Sequence, residues 1–330
     1  MTAMLTVRNL TVEVSTPSGP VYPVESFSMS VAPGEIAGLV GESGSGKTMA
    51  MRAIIGLLKP GVARIVSGEV LLDGRDLVTL PAPRLREVRG RDIAMIFQNP
   101  SSYLDPLMPV GAQVAEPLRI HRGLSRRAAR DEVVELFGRV GIRDPRRQVD
   151  AYPHEFSGGM KQRVLIAAAL ACTPKLLIAD EPTTALDATV QKQILDLLRD
   201  LRDRTGISVI LITHDLGVVA EICDTVTVLY AARIAERAPT AALLLEPLHP
   251  YSRGLIQSQP ESAARDRPLP SIPGQPPALL ALPPGCRFHP RCAFAAQACR
   301  AAVPPLVATA PQRANACIRW RELPAGGSVS

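Results

Sequence analysis

Three short stretches combine residue types and spacing that can do chemistry. The first, GESGSGKT at residues 41–48, fits the pattern G-x-x-x-x-G-K-[ST]. Its glycines let the backbone wrap so that several N–H groups point inward at phosphate oxygens, and a helix starting here adds its positive end. In such a loop Lys47 reaches the β- and γ-phosphates of a nucleotide, and the Thr48 hydroxyl serves Mg²⁺. The second, LLIADE at 176–181, drives four apolar residues into a core and leaves Asp180 at the strand tip, where it can hold the Mg²⁺ shell. Glu181 is then placed to polarise an attacking water. The third, FSGGMKQR at 156–163, opens a helix on Ser157, Gly158 and Gly159, so its free N–H groups make a second anion site. One chain already has its phosphate loop, so this second site serves a nucleotide held by another copy or a related subunit.

The elements that must position these groups are legible around them. Residues 4–14 alternate apolar and polar as a half-buried strand does, and STPSGP (15–20) is a turn. EIAGLVG (35–41) is a buried strand running into the glycine loop, and KTMAMRAIIGLL has helical spacing up to Pro60-Gly61. SGEVLLDGRDL (67–77) is a hairpin around Asp73-Gly74. IAMIFQNP (93–100) is a strand running into a loop, and residues 105–150 are largely helical and basic. VQKQILDLLRDLRDRTG (190–206) is an amphipathic helix with a glycine stop, and SVILITHD (208–215) and DTVTVLYAARIAER (224–237) supply further strands. Alternating strand and helix predicts a mainly parallel α/β sheet with a helical insert near 100–158.

Composition narrows the class. The 330 residues carry 37 Lys and Arg against 31 Asp and Glu, a formal charge of +6. Short basic clusters at Arg84–Arg91 and Arg122–Arg130 have no interleaved aromatic residues, so they suit solvated helix faces better than a single-strand nucleic-acid groove. The most apolar run, Val164–Cys172, is far short of the roughly 20 residues of a spanning helix. The first residues alternate like a strand and lack a signal-peptide core, which predicts a cytoplasmic protein whose six cysteines are thiols or metal ligands rather than disulfides.

With these motifs in register, the chain resembles the ATP-binding cassette (ABC) family over residues 1 to about 240. The resemblance implies an α/β P-loop NTPase core with a mainly parallel sheet, an antiparallel β subdomain and a helical subdomain at about 99–158, the whole ATPase domain spanning 1–245. It implies ATP and Mg²⁺ as ligands. Gly41, Glu42, Ser43, Gly44, Ser45, Gly46, Lys47 and Thr48 match the family's Walker A motif. Leu176–Glu181 match its Walker B, with Asp180 at Mg²⁺ and Glu181 the catalytic carboxylate. Phe156–Met160, with Ser157, Gly158 and Gly159, match the signature. Gln98 matches the glutamine that touches Mg²⁺ and the membrane partner, Ala185-Leu186-Asp187 the D-loop, and His214 the switch histidine. Gln98 and His214 both close apolar strands, which sets them at the carboxyl edge of the sheet where α/β proteins bind ligands. Met160 stands where the common signature has Gln, a loss of one side-chain contact that leaves the backbone donors intact. Tyr22, 25 residues before Lys47, is the candidate for stacking on adenine; Val14 is the other position where relatives carry an aromatic.

After residue 245 the composition changes. Eight prolines lie between 260 and 284, and the last 45 residues hold four of the six cysteines. LHPYSRGLIQSQP (248–260) and GCRFHPRC resemble the C-terminal extension of ATPases from dipeptide, oligopeptide and nickel importers, which gives a second, loop-rich region at 246–330. Cys286, Cys292, Cys299 and Cys317 do not have zinc-ribbon spacing, but four soft ligands could gather one ion or cluster. The resemblance favours a [4Fe–4S] cluster; zinc, with His289 joining as a ligand, and free thiols that bind nothing are the alternatives. Cys172 and Cys223 read as core residues. The resemblance further implies an ATPase working at the cytoplasmic face of a bacterial inner membrane. Its partners would be a second cassette, either a related chain or an identical copy, two permease subunits and an extracytoplasmic substrate-binding protein. Peptide import is the first expectation and nickel import the alternative. A soluble family member acting on nucleic acid or ribosomes is the rival, against which stands the lack of a second cassette or coiled-coil arms.

Overall fold

Asp73 and Gly74, with φ of 49° and 77°, turn β4 (Ala63–Leu72) into β5 (Arg75–Asp76). Two left-handed central residues are what a two-residue hairpin of this type requires. In the computed structural model this hairpin joins β1 (Leu5–Thr16) and β2 (Gly19–Val31) in an antiparallel sheet of order β2-β1-β4-β5. The expected turn at 15–20 sits between β1 and β2, which pair from Leu5↔Val31 to Thr16↔Gly19. The structure describes residues 3–184, 186–259 and 271–324. Ala185 of the expected D-loop and part of the proline-rich stretch lie outside them. The described residues divide into two compact units, one mainly 79–211, the other mainly 5–31, 36–78 and 212 onward.

The second of these units holds the antiparallel sheet and the glycine loop. β3 (Ile36–Val40) is buried at every residue and runs parallel to β9 (Thr225–Tyr230), pairing from Ala37↔Thr225 to Val40↔Val228. α1 (Lys47–Ile54) follows the loop and stops earlier than its periodicity suggests, because Gly56 turns left-handed. α8 (Leu216–Ile222) precedes β9, and β10 (Arg233–Pro239) returns antiparallel through Ala231 and Ala232, two alanines at positive φ. No turn signal marked that reversal in the sequence. α9 (Thr240–Leu245) and α10 (Pro250–Gln257) lead toward the cysteine-bearing segment, which contains α11 (Ala298–Ala301). That segment is not all loop. β11 (Val307–Ala310) and β12 (Arg313–Asn315) extend the sheet in the order β11-β12-β10-β9-β3. Both strands are too short to leave a periodic trace. The sheet is therefore parallel where β3 meets β9 and antiparallel toward the extension.

In the other unit, α2 (Ala82–Val88) precedes β6 (Ile93–Ile96), which lies parallel to β7 (Leu176–Asp180) from Ile93↔Leu176 to Ile96↔Ala179. β7 is buried throughout, as four apolar residues demand. Between them come α3 (Val110–Arg122), α4 (Arg126–Arg139), α5 (Pro145–Gln148) and α6 (Gly158–Leu170). Val114 and Leu118 of α3, Val133 and Phe137 of α4, and Val164 of α6 are fully buried, which gives these helices a shared apolar core. α7 (Ala188–Thr205) ends on left-handed Gly206, the stop expected from sequence, and β8 (Ser208–Thr213) follows. Among the described residues no helix is long and apolar enough to cross a membrane.

One buried histidine makes stability depend on pH. His249 caps α10, its Nδ1 accepting from the Tyr251 N–H at 3.1 Å, and burial lowers its pKa to about 3. The unfolded chain binds a proton near pH 6.5 that the folded chain refuses until about pH 3. Stability is thus lost as pH falls from about 6.5 toward 3, reaching about 2 kcal/mol at pH 5. Buried Glu236, which accepts from the Leu248 and His249 N–H groups at 2.9 Å each, has a raised pKa and the opposite sign. The measurement is therefore a comparison. His249→Asn keeps an N-cap acceptor but cannot titrate, so urea unfolding at pH 7 and pH 5 should show a smaller pH 5 penalty in the variant, by about that amount. Equal penalties in both proteins would contradict the assignment.

Candidate nucleotide site

The glycine loop leaves β3 and enters α1, as its sequence requires. Two glycines have no substitute. Gly41 has φ 153°, and a Cβ there would meet the Leu229 carbonyl oxygen at 2.1 Å; Gly46 has φ 105°, and a Cβ would meet the Pro23 carbonyl oxygen at 2.0 Å. The loop is pressed against β9 on one side and β2 on the other. Lys47 is 7% exposed and donates from Nζ to the carbonyls of Gly41 (2.7 Å) and Glu42 (3.0 Å). A buried ammonium held by neutral carbonyls is poised to exchange them for phosphate oxygens, which carry charge. Ser45 Oγ, also buried, has no hydrogen-bond partner among the described residues, a donor that a bound phosphate could satisfy. Ser43 and Gly44 form the exposed tip, and Thr48 is half-buried on the first turn of α1.

The Glu42 side chain faces the C-terminal extension. Its carboxylate accepts from Arg291 Nη1 at 2.8 Å, and its backbone N–H donates to the Tyr251 hydroxyl at 2.9 Å. Sequence reasoning missed both partners. LHPYSRGL and GCRFHPRC stood out, but nothing in them said what Tyr251 and Arg291 touch.

Tyr22 lies on the exposed face of β2 between buried Val21 and Pro23, the residue whose carbonyl abuts Gly46. Its hydroxyl donates to Glu13 at 3.2 Å, and that carboxylate raises the phenol pKa. Val14, the other adenine position, pairs with Val21 within the sheet. His214 is exposed just beyond the end of β8.

The acidic residues lie in the helical unit. Asp180 ends β7 and is 3% exposed. Glu181 follows with φ 48°, an uncommon conformation for a non-glycine residue and of the kind stored at functional sites. Its carboxylate accepts from Gln98 Nε2 at 2.7 Å and from Thr184 Oγ1 at 2.9 Å. The structure thus brings Gln98 and Glu181 together across 83 residues, while Thr184 is a partner that sequence reasoning did not single out. Ser157 caps α6 by accepting from Met160 N–H at 3.3 Å, with Gly158 and Gly159 opening the helix. Asp187 caps α7 by accepting from Val190 N–H at 2.9 Å.

The four extension cysteines line one largely apolar pocket with Phe288 and Phe294. Burial raises Cys292 and Cys317 to about 11 each, so they are neutral thiols at pH 7. Among the described residues no group of three or more His, Cys, Asp or Glu side chains is placed to hold a metal ion. Cys223 is buried and Cys172 half-buried, in keeping with core packing.

Comparison with known proteins gives this geometry its family. Residues 24–184 match the model for ABC transporters, and residues 235–299 match that for the oligopeptide/dipeptide transporter C-terminal region. The oligopeptide transport ATP-binding protein OppD of Salmonella typhimurium is 46% identical, with 96% of this chain and 93% of that protein aligned. The chain belongs to the ATP-binding proteins of ABC transporters. A Brucella ovis protein whose name places it among peptide import ATP-binding proteins is 47% identical over 98% of both chains. Among solved structures, the ATP-binding cassette MJ0796, dimeric and bound to ADP and Pi, superposes with a TM-score of 0.65 at 28% identity, covering 72% of this chain and 99% of that one. The cbiO1 protein of Clostridium perfringens, part of the cbiONQ transporter complex, gives 0.62 at 28% identity, covering 74% and 91%. Those cassettes share the ATPase core with this chain, while the C-terminal family model covers residues 235–299, which include Cys286, Cys292 and Cys299.

Proposed function

We propose that this chain hydrolyses ATP to power a bacterial importer of dipeptides or oligopeptides. The observation that carries the ATPase reading is the glycine loop closed by Lys47, between a buried strand and a helix. End-to-end likeness to peptide-import ATPases, extension included, supports the substrate class. In this reading the loop N–H groups and Lys47 hold the phosphates, and Tyr22 stacks on adenine. Thr48, Asp180 and Gln98 would be the residues to hold Mg²⁺, which would screen phosphate charge when bound. Glu181 takes a proton from the attacking water as His214 orients the γ-phosphate. Ser157, Gly158, Gly159 and Asp187 serve the nucleotide of a second cassette, related or identical. Two permeases and an extracytoplasmic binding protein complete the assembly, with this chain peripheral at the cytoplasmic face of the inner membrane. Cys286, Cys292, Cys299 and Cys317 have the donor chemistry for a [4Fe–4S] cluster and line one pocket; the preference for that cluster over zinc rests on the family resemblance. Such a cluster would staple the extension.

The test is the transporter reconstituted in liposomes with its binding protein. Peptide-loaded binding protein should stimulate ATP hydrolysis and drive uptake, and nickel should not. Stimulation by nickel alone would overturn the substrate class. Anaerobic purification should yield about four irons per chain with visible charge-transfer absorption, lost on Cys292→Ser; stoichiometric zinc or no metal would remove the cluster.

A further inference from the structure

Two segments of the extension converge on one residue of the nucleotide loop. Glu42 is the first residue after Gly41, and two of its polar groups are held by side chains more than 200 positions later: the backbone N–H by Tyr251, the carboxylate by Arg291. Neither contact is a loose surface pairing. Tyr251 is fully buried, and the Arg291 side chain is 7% exposed. Arg291 is itself fixed: its Nε donates to the Pro273 carbonyl at 2.8 Å, its Nη2 to the Ile272 carbonyl at 3.3 Å, and its guanidinium lies 5.8 Å from the Tyr230 ring centre. Tyr230, Tyr251 and Phe288 pack ring against ring, with centroids 4.5 to 5.4 Å apart. Tyr230 belongs to β9, whose Leu229 carbonyl is the one pressed on Gly41.

These contacts bear on nucleotide binding in two ways. An unpaired carboxylate beside a triphosphate site would repel the ligand, and Arg291 neutralises it. More importantly, the Glu42 carbonyl is one of the two acceptors that hold Lys47. Fixing Glu42 at both its N–H and its carboxylate fixes the lysine's resting position and the start of the loop. A loop whose N–H groups must converge on phosphate oxygens loses affinity when that start is free to move.

We propose that Tyr251 and Arg291 are positioning residues for the phosphate loop, so the C-terminal extension sets the affinity of this ATPase for ATP. The inference rests on reading residues 41–48 as the nucleotide loop. It predicts that the effect lies in binding: KM and Kd for ATP rise while kcat changes little.

The experiment measures binding of a fluorescent N-methylanthraniloyl ATP to the full-length chain, and KM and kcat in the reconstituted transporter. Arg291→Ala should weaken binding about tenfold, within the range of measured couplings between sites, with kcat within about twofold of the parent. Arg291→Lys, which restores charge but not the fork of contacts, should fall between. Tyr251→Phe removes one hydroxyl and should weaken binding about threefold. It also serves as the test if Arg291→Ala fails to fold. Adding Glu42→Gln to Arg291→Ala removes the repulsion without restoring the anchor, so binding should stay weak. Full recovery in that double variant would mean charge neutralisation alone, and it would overturn the positioning role, as would unchanged affinity in both Arg291→Ala and Tyr251→Phe. Lys47→Ala separates the levels: if it binds nucleotide normally, the loop reading fails, whereas loss there with silent Arg291 and Tyr251 variants sinks this inference alone.

Discussion

Replacing Glu181 by Gln stops turnover and leaves ATP binding in place. Gln has the size and the acceptor oxygen to keep the contacts from Gln98 and Thr184, now 2.7 and 2.9 Å from the carboxylate, so the local structure survives. What disappears is the negative charge that draws a proton from water. General-base assistance is worth about 10²–10⁴-fold, and kcat should fall by that factor with Kd for ATP within about twofold. Because hydrolysis reopens the proposed pair of cassettes, the ATP-bound pair should also become long-lived, as a ligand holding the favoured state does. Single-turnover hydrolysis and size-exclusion chromatography with Mg²⁺ and ATP read these two effects separately. A variant that hydrolyses ATP at near-parent rates removes Glu181 from the role proposed for it.

Gly46→Ala should abolish nucleotide binding, and a neighbouring glycine provides the control. At Gly46 the new methyl would lie 2.0 Å from the Pro23 carbonyl oxygen, and φ is 105°, where side-chain-bearing residues rarely sit. Either β2 or the loop has to move. A loop displaced in this way no longer converges its donors on the phosphates, and the strained backbone adds about 1–3 kcal/mol to the loss of stability. At Gly44 φ is 77°, yet a Cβ there would have nothing within 4 Å. Gly44→Ala therefore carries only the left-handed penalty, about 1–2 kcal/mol, without displacing a neighbour. Fluorescent nucleotide titration and thermal melting should show Gly46→Ala as the much weaker binder. Comparable affinities for the two variants would show that the Pro23 contact does not shape the loop.

The site was readable in the sequence wherever the chemistry is local. The glycine loop needs consecutive backbone N–H groups, so its eight residues carry it. β7 is an apolar run ending in two acids, and the run itself forces burial and leaves Asp180 and Glu181 at the tip. Ser157 was legible because a helix cap lies within a few residues of the N–H it satisfies, whereas Asp187 came from the family resemblance alone and the fold makes it the cap of α7. The Asp73-Gly74 turn and the Gly206 stop follow the same logic.

Other features were settled only by the fold. The Ala231-Ala232 turn has no local signal, since alanine does not favour positive φ; it is stabilised from elsewhere, Arg287 donating to the Ala231 carbonyl and Glu25 N–H to that of Ala232. β11 and β12 become strands because β10 offers an edge to pair with. The convergence of four thiols on one pocket, and of Tyr251 and Arg291 on Glu42, joins residues as much as 249 positions apart. A sequence pattern records what a residue needs from its immediate neighbours. Contacts such as these depend on where the packing of β3, β9 and the aromatic cluster brings distant side chains, and only the folded chain contains that information.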